Sequence, residues 1–276
     1  MLDRAAVGDA LGSSAYVGGF LDRRAGALQP LKYTLGLGRA ARDLGASIFS
    51  DAAVRAIERR GDRFALQTAT GTVNADRVLL CANGYTDPSF GPVGRSFVPI
   101  ASIQIATEPL PAALRDKIMR DHVCASDTNR LLVYYRLDTD GRFLIGGRGA
   151  TFRYGLNRLF GQLQARAIKI FPELADIAWP YRWGGLVAIT SDHLPHVHEP
   201  TPGLVMALGY NGRGVALATR MGTAIADYAL SGDESALPLP LTPIRRFPLH
   251  RLRTVGLEVA SAWLALRDRL DRIGQM

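Results

Sequence analysis

The chain has 276 residues, 47% apolar and 21% charged, an ordinary globular mix with length for one large domain or two modest ones. No apolar run approaches the roughly 18–20 residues of a membrane span, and the N-terminus lacks a signal-peptide pattern. The net charge of +8 comes from scattered arginines without a Lys/Arg–aromatic cluster outside the C-terminal tail, so nucleic-acid binding is not expected.

The two cysteines, Cys81 and Cys124, have neither CxxC spacing nor scaffold density, which favours a reducing, cytoplasmic setting. Asp3 to Leu11 predicts a short helix ended near Gly12, and Tyr16 to Leu21 a strand carrying a glycine pair. A helix with proline near its start is expected from Pro30 to Leu44, stopped by Gly45. Ala46 to Phe49 and Ala53 to Ile57 read as short extended segments, and Arg63 to Val73 as a hairpin turning at Thr70-Gly71. Arg77 to Cys81 is a continuous apolar run, consistent with a strand buried on both faces, and a turn-rich loop follows from Ala82 to Pro88.

After about Val98 the pattern changes. Ile100 to Ala106 alternates like a half-buried strand, Leu110 to Arg120 reads as helical, and Leu131 to Gly147 forms an antiparallel hairpin around Asp138–Gly141. Asn157 to Ile170 carries apolar residues at helical spacing, and Tyr181 to Thr190 reads as a strand. Leu204 to Leu208 is a short buried strand. The glycine turn Gly209-Tyr-Asn-Gly-Arg-Gly214 leads from it into a helix from Val215 to Leu230, capped at Ser231-Gly232. An extended segment, Phe247 to Arg253, precedes an amphipathic helix from Val255 to Ile273; membrane association through its basic face is not expected.

Several motifs point away from common chemistries. Gly36-Leu-Gly38-Arg-Ala-Ala41 matches G-x-G-x-x-A but lies inside a helical pattern with no strand before it, so it reads as helix interior. His193, His196 and His198 are spaced H-x-x-H-x-H around Pro195, unlike the usual zinc patterns, so no metal is expected. No nucleophile–His–Asp arrangement is visible. Two features remain. The strand, glycine turn and helix of residues 203–232 present free N–H groups at a helix N-terminus, which suits an anionic or electron-rich ligand edge, or is a tight turn without a ligand. On the hairpin, Tyr134, Tyr135 and Arg136, with Arg148 on the return strand, either hold a substrate carboxylate by a bidentate guanidinium contact or form one solvated strand face.

An ordered series of segments carries a resemblance. Gly18-Gly19 precedes Leu28-Gln-Pro30; Asp43-Leu-Gly-Ala46, Val54 and Asp76-Arg-Val-Leu-Leu-Cys-Ala-Asn-Gly-Tyr85 follow. Trp183-Gly-Gly185, Thr190-Ser-Asp192 with Pro195, and Gly209-Tyr-Asn-Gly-Arg-Gly214 complete it. Together they resemble the FAD-dependent oxidoreductases of the D-amino acid oxidase-like family, nearest the gamma-glutamylputrescine oxidoreductase group alongside glycine and sarcosine oxidases. The resemblance implies an α/β (α+β) fold: an incomplete FAD/NAD(P)-binding domain interleaved with an antiparallel-sheet substrate domain. The expected divisions are residues 1–97 and 191–276 for the first and 98–190 for the second.

By the same resemblance, FAD would lie along Val54 (adenine side), Cys81, Ala82, Asn83 and Gly84 (pyrophosphate side), Gly184, and the turn Gly209, Asn211, Gly212, Arg213, Gly214 and Val215 (flavin ring). The activity implied is oxidation of an amine or amino acid by hydride transfer to flavin N5, followed by imine hydrolysis. The hairpin domain would cover the flavin. No residue is singled out as acid or base, and Arg213, where other members often carry histidine, leaves oxidase and dehydrogenase both open. Such proteins begin with a βαβ unit bearing G-x-G-x-x-G, which this sequence does not display. The expectation is therefore an N-terminally truncated family member that binds FAD weakly or not at all alone, or a non-catalytic fragment or subunit completed by a partner chain.

Overall fold

The computed structural model describes residues 1–119, 123–148 and 156–273. In chain order the elements are α1 (Arg4–Leu11), α2 (Pro30–Asp43), β1 (Ala56–Arg60), β2 (Arg63–Gln67), β3 (Thr72–Ala75), β4 (Val78–Leu80), β5 (Val98–Pro109) and α3 (Ala112–Arg115). They continue with β6 (Ala125–Ser126), β7 (Val133–Leu137), β8 (Arg142–Arg148), α4 (Leu156–Ile170), β9 (Tyr181–Ile189), β10 (His196–Thr201), β11 (Leu204–Leu208), α5 (Gly214–Ser231) and α6 (Arg253–Ile273). Two compact units emerge: residues 1–29, 101–185 and 254–276 form one, and residues 30–100 and 186–253 the other.

In the first unit the long sheet runs β6-β7-β8-β5-β9. The β7–β8 hairpin turns where Asp138 Oδ1 accepts the N–H groups of Asp140 and Arg142, both at 2.9 Å, with Gly141 at φ 80°. Alternation then sorts the side chains. Ile103, Ile105, Val133, Tyr135, Phe143 and Ile145 face a core shared with Leu163, Ala167 and Ile170 of α4. Phe143 packs edge-on against Phe171 at 5.4 Å and Trp179 at 6.1 Å between ring centroids, an arrangement favoured by the ring quadrupoles. Asp3 caps α1, its Oδ1 accepting the Ala6 N–H at 2.8 Å, and Val7 and Leu11 enter the same core. At the other end of the chain, buried Asp268 of α6 accepts the N–H groups of Arg130 and Leu131, each at 3.1 Å.

The second unit holds two three-stranded sheets, β1-β2-β3 and β10-β11-β4. In the latter, β11 is parallel to β4 and antiparallel to β10. The helix α5 closes over Val197, Val205 and Ala207 with Met221, Ile225 and Tyr228, and ends on Gly232 in the left-handed region. Among the described residues, none of α2 is buried, and Leu31, Leu35 and Leu37 are exposed.

Five sequence expectations need correction. Phe247 to Arg253 is not an extended segment: the backbone bends at Leu249 (φ 51°) into a 3-10 turn over His250–Leu252 and enters α6 at Arg253. Residues 16–21 form no strand; Gly19 makes only an isolated bridge to Leu2. Ala46 to Phe49 is irregular, and no described strand pairs with its backbone. The helix expected from Leu110 is reduced to the four residues of α3 after Pro111, and its expected end at Arg120 lies outside the described residues. The apolar run of β4 is not buried on both faces: it is the edge strand of its sheet, and Leu79 is 38% exposed. The hairpin of residues 63–73, the hairpin of 131–147, α4 and α5 follow their patterns. Gly36 and Gly38 lie inside α2, as expected of helix interior. No described helix is long and apolar enough to cross a membrane.

Candidate functional site

In the second unit, β4 and β11 run parallel, so the segments after them, Cys81–Gly84 and Gly209–Gly212, leave the sheet at the same carboxyl end. That is where ligands sit in open parallel α/β sheets. A hydrogen bond joins the two segments: the Gly209 N–H donates to Asn83 Oδ1 at 3.0 Å. Gly84 passes so close to Leu186 that a Cβ would stand 2.9 Å from its carbonyl oxygen, while the Leu186 N–H donates to the Tyr85 hydroxyl at 3.1 Å.

The turn after β11 needs left-handed backbone at three places, Gly209 (φ 82°), Asn211 (φ 52°) and Gly212 (φ 88°). That explains two glycines and an asparagine there. Asn211 is held from both ends of its amide. Its Oδ1 accepts the N–H of buried Thr190 at 3.0 Å, and its Nδ2 donates to Thr190 Oγ1 at 3.1 Å and to the Gly209 carbonyl. A Cβ on Gly209 would lie 2.5 Å from Thr190 Cγ2.

Beyond this clasp the surface opens. A Cβ at Gly212 would meet no atom within 4 Å. The first turn of α5 contains no carboxylate, Arg213 provides no side-chain cap, and Arg213, Val215 and Ala216 are exposed. The helix N-terminus thus offers uncapped N–H groups and a partial positive charge to open space.

Several nominated residues therefore have work inside the fold: Asn83, Gly84, Gly209 and Asn211 build the turn. Cys81, Gly212, Arg213 and Val215 are exposed, and Ala82 and Gly214 are half-buried beside them. Val54 is half-buried just before β1 in the other sheet, and no hydrogen bond among the described residues ties it to the turn. Gly184 is exposed on β9, in the first unit.

In that first unit the register puts Tyr134, Arg136 and Arg148 on one sheet face. Tyr134 opposes Gly146 and Arg136 opposes Leu144, while Ser102 opposes Arg148 and Gln104 opposes Gly146. The Tyr134 ring lies across Gly146, where a Cβ would come 2.3 Å from it, and its hydroxyl meets Ser102 Oγ at 2.7 Å. Burial pushes the Tyr134 phenol above its ordinary pKa, against the hydrogen bonds from Ser102 and Gln104. Neither Arg136 nor Arg148 is ion-paired to a described carboxylate, so their two guanidiniums are free to meet an anionic ligand, whereas Tyr135, on the opposite face, is buried in the core. Ser102 and Gln104 were missed from the sequence, although they are the polar alternates of the β5 pattern.

Two of the three nominated histidines have structural partners. His196 pairs with Asp192 at 3.0 Å, and the fully buried His198 has Nδ1 2.7 Å from the Thr242 carbonyl. Both lie on β10, a strand the sequence reading passed over because Pro195 and the histidines masked its alternation.

Comparison with known proteins converges on one group. A family model described as FAD dependent oxidoreductase (DAO) matches residues 1–228. A probable oxidoreductase OrdL of Rhizobium meliloti (strain 1021) is 34% identical over 270 residues, covering 97% of this chain and 62% of that protein. The gamma-glutamylputrescine oxidoreductase of Escherichia coli (strain K12) is 30% identical over 275 residues, covering 98% and 64%. The chain thus spans under two thirds of the length of these curated relatives. Among solved structures, glycine oxidase from Geobacillus kaustophilus superposes with a TM-score of 0.72 at 21% identity, over 87% of this chain and 66% of that one.

Proposed function

The chain belongs to the DAO family of FAD-dependent oxidoreductases, and from that premise we propose that it carries the flavin-facing turn and the substrate sheet of an enzyme that oxidises an amine or amino acid at its C–N bond. The observation that carries the proposal is the open, carboxylate-free N-terminus of α5 beside Gly212. Bound FAD would supply at N5 the acceptor for hydride from the substrate's α-carbon, the imine product then hydrolysing in water.

The chain's own residues have three tasks in this reading. The N–H groups of Gly214 and Val215, with Gly212 and Arg213, favour negative charge at the flavin ring edge. The turn from Cys81 through Ala82 and Asn83 to Gly84 lines the pyrophosphate side, with Val54 on the adenine side and Gly184 near the ring. Tyr134, Arg136 and Arg148 bind and orient the substrate through its carboxylate.

A second reading is favoured by β4 and α2. The outer edge of β4 pairs with no described strand, and the leucines of α2 are unburied. Parallel sheets are normally covered, so both features favour further polypeptide, including a partner chain, completing the cofactor site. The test is a visible absorbance and flavin-fluorescence titration of the purified chain with FAD. A dissociation constant weaker than about 1 µM is expected for the chain alone, because the strand-edge side of the cradle is open. Tight, coloured complexes formed by the chain alone would dismiss the need for a partner. No flavin binding even with an added βαβ-containing segment would dismiss the flavin reading itself.

A further inference from the structure

The second unit contains a pocket that none of the flavin or substrate assignments uses. Residues 246–253 fold back beside the turn of residues 88–95, anchored where the Phe247 N–H donates to the Arg95 carbonyl at 2.7 Å. The bend requires Leu249 to adopt φ 51°, a left-handed conformation unfavourable for a leucine. Between the segments lies a pocket of about 850 Å³, within the range of small-molecule sites.

Its walls divide by chemistry. Phe247, Leu249 and Leu252 supply an apolar side, and Arg95, Arg246 and Arg253 stand in the wall beside them, with no carboxylate among the described lining residues. None of the three is ion-paired to a described carboxylate. Like charges gathered without a counter-charge repel one another, and a multiply charged oxyanion relieves that repulsion while matching the planar guanidinium fork.

His250, also in the wall, engages Arg253. Arg253 can only donate, so at 3.1 Å from His250 Nδ1 it makes that nitrogen the acceptor and leaves the ring proton on Nε2. The Nε2 atom is buried, and the Phe97 backbone carbonyl favours its proton. The donors left to a ligand are those of the three arginines.

We propose that this pocket binds a phosphorylated small molecule, its phosphoryl oxygens on Arg95, Arg246 and Arg253 and its body against Phe247, Leu249 and Leu252. The same phosphoryl chemistry occurs on a lipid headgroup, and the experiment separates the two sources.

Phenyl phosphate, inorganic phosphate and phenol are titrated calorimetrically into the full chain, and into Arg246→Gln and Arg60→Gln. Arg246 is exposed, so its loss leaves the core intact; Arg60, on β1, is a charge-matched control. Phenyl phosphate is expected to saturate more tightly than inorganic phosphate, phenol not to bind, and Arg246→Gln alone to weaken binding about tenfold or more. Absence of saturable binding, or equal weakening by both substitutions, would overturn the proposal. So would phosphate binding confined to phosphatidic acid vesicles in a parallel co-sedimentation.

Discussion

Asn211 and Thr190 hold each other across the mouth of the glycine turn: the Thr190 N–H donates to Asn211 Oδ1 at 3.0 Å, and Asn211 Nδ2 returns a bond to Thr190 Oγ1 at 3.1 Å. Thr190 is buried, so its N–H has no water to turn to if the amide is lost. Asn211→Ala is expected to cost about 1–3 kcal/mol, the penalty of a stranded buried donor plus lost left-handed tolerance at φ 52°. Urea unfolding of the chain measures it; an unchanged midpoint would show that the clasp contributes nothing.

Glycines of the two segments separate by what surrounds them. Gly209→Ala combines φ 82° with a Cβ 2.5 Å from Thr190 Cγ2, and a loss of about 2–5 kcal/mol is expected. Gly212→Ala meets open space and should lose only about 1–2 kcal/mol from backbone strain at φ 88°. If the flavin ring lies there, the milder substitution for stability is the harsher one for FAD affinity. Thermal melts and flavin titrations of the pair read the two effects separately.

His198 sets an acid limit on the second unit. Burial, the larger effect, pushes its pKa below the ordinary imidazole value, against the favourable Thr242 carbonyl. The unfolded chain takes up the proton near pH ~6.5, the folded chain only at lower pH. Below pH ~6.5 the unfolded state therefore binds more protons, and stability falls with falling pH. The contribution is fully present above that value and is lost as pH drops toward the folded pKa. Urea midpoints should decline from pH 7.5 to 5, and His198→Gln should flatten part of that decline.

On the sheet face, Arg136→Gln in the flavin-loaded enzyme should raise KM for carboxylate-bearing substrates by about 10- to 100-fold, the worth of a charged hydrogen bond, with kcat little changed. Amines without a carboxylate should be insensitive. Steady-state kinetics on matched substrate pairs decides this, and an equal loss for both kinds would remove Arg136 from carboxylate recognition.

What the sequence determined by itself was local. The Asp138–Gly141 turn, the Pro30 start of α2 and the left-handed stop at Gly232 each depend on residues within one turn of the backbone, so composition specifies them. The glycine turn was legible for the same reason: only a few residues tolerate its conformation. The face shared by Tyr134, Arg136 and Arg148 needed one further step, strand alternation.

Tertiary structure alone decided the rest. Whether Val78–Leu80 is a central or an edge strand depends on which strands lie beside it, and an apolar run reads the same in either place. Asn83, Gly84 and Asn211, nominated as cofactor contacts, also hold the turn together. Their partners, Gly209, Leu186 and Thr190, stand 126, 102 and 21 residues away, and local pattern carries no trace of a bond closed over such distances. The arginine pocket is of the same kind. Arg95 and Arg246 are scattered charges along the chain and become one site only because the backbone turns at Leu249 and hydrogen-bonds Phe247 to Arg95.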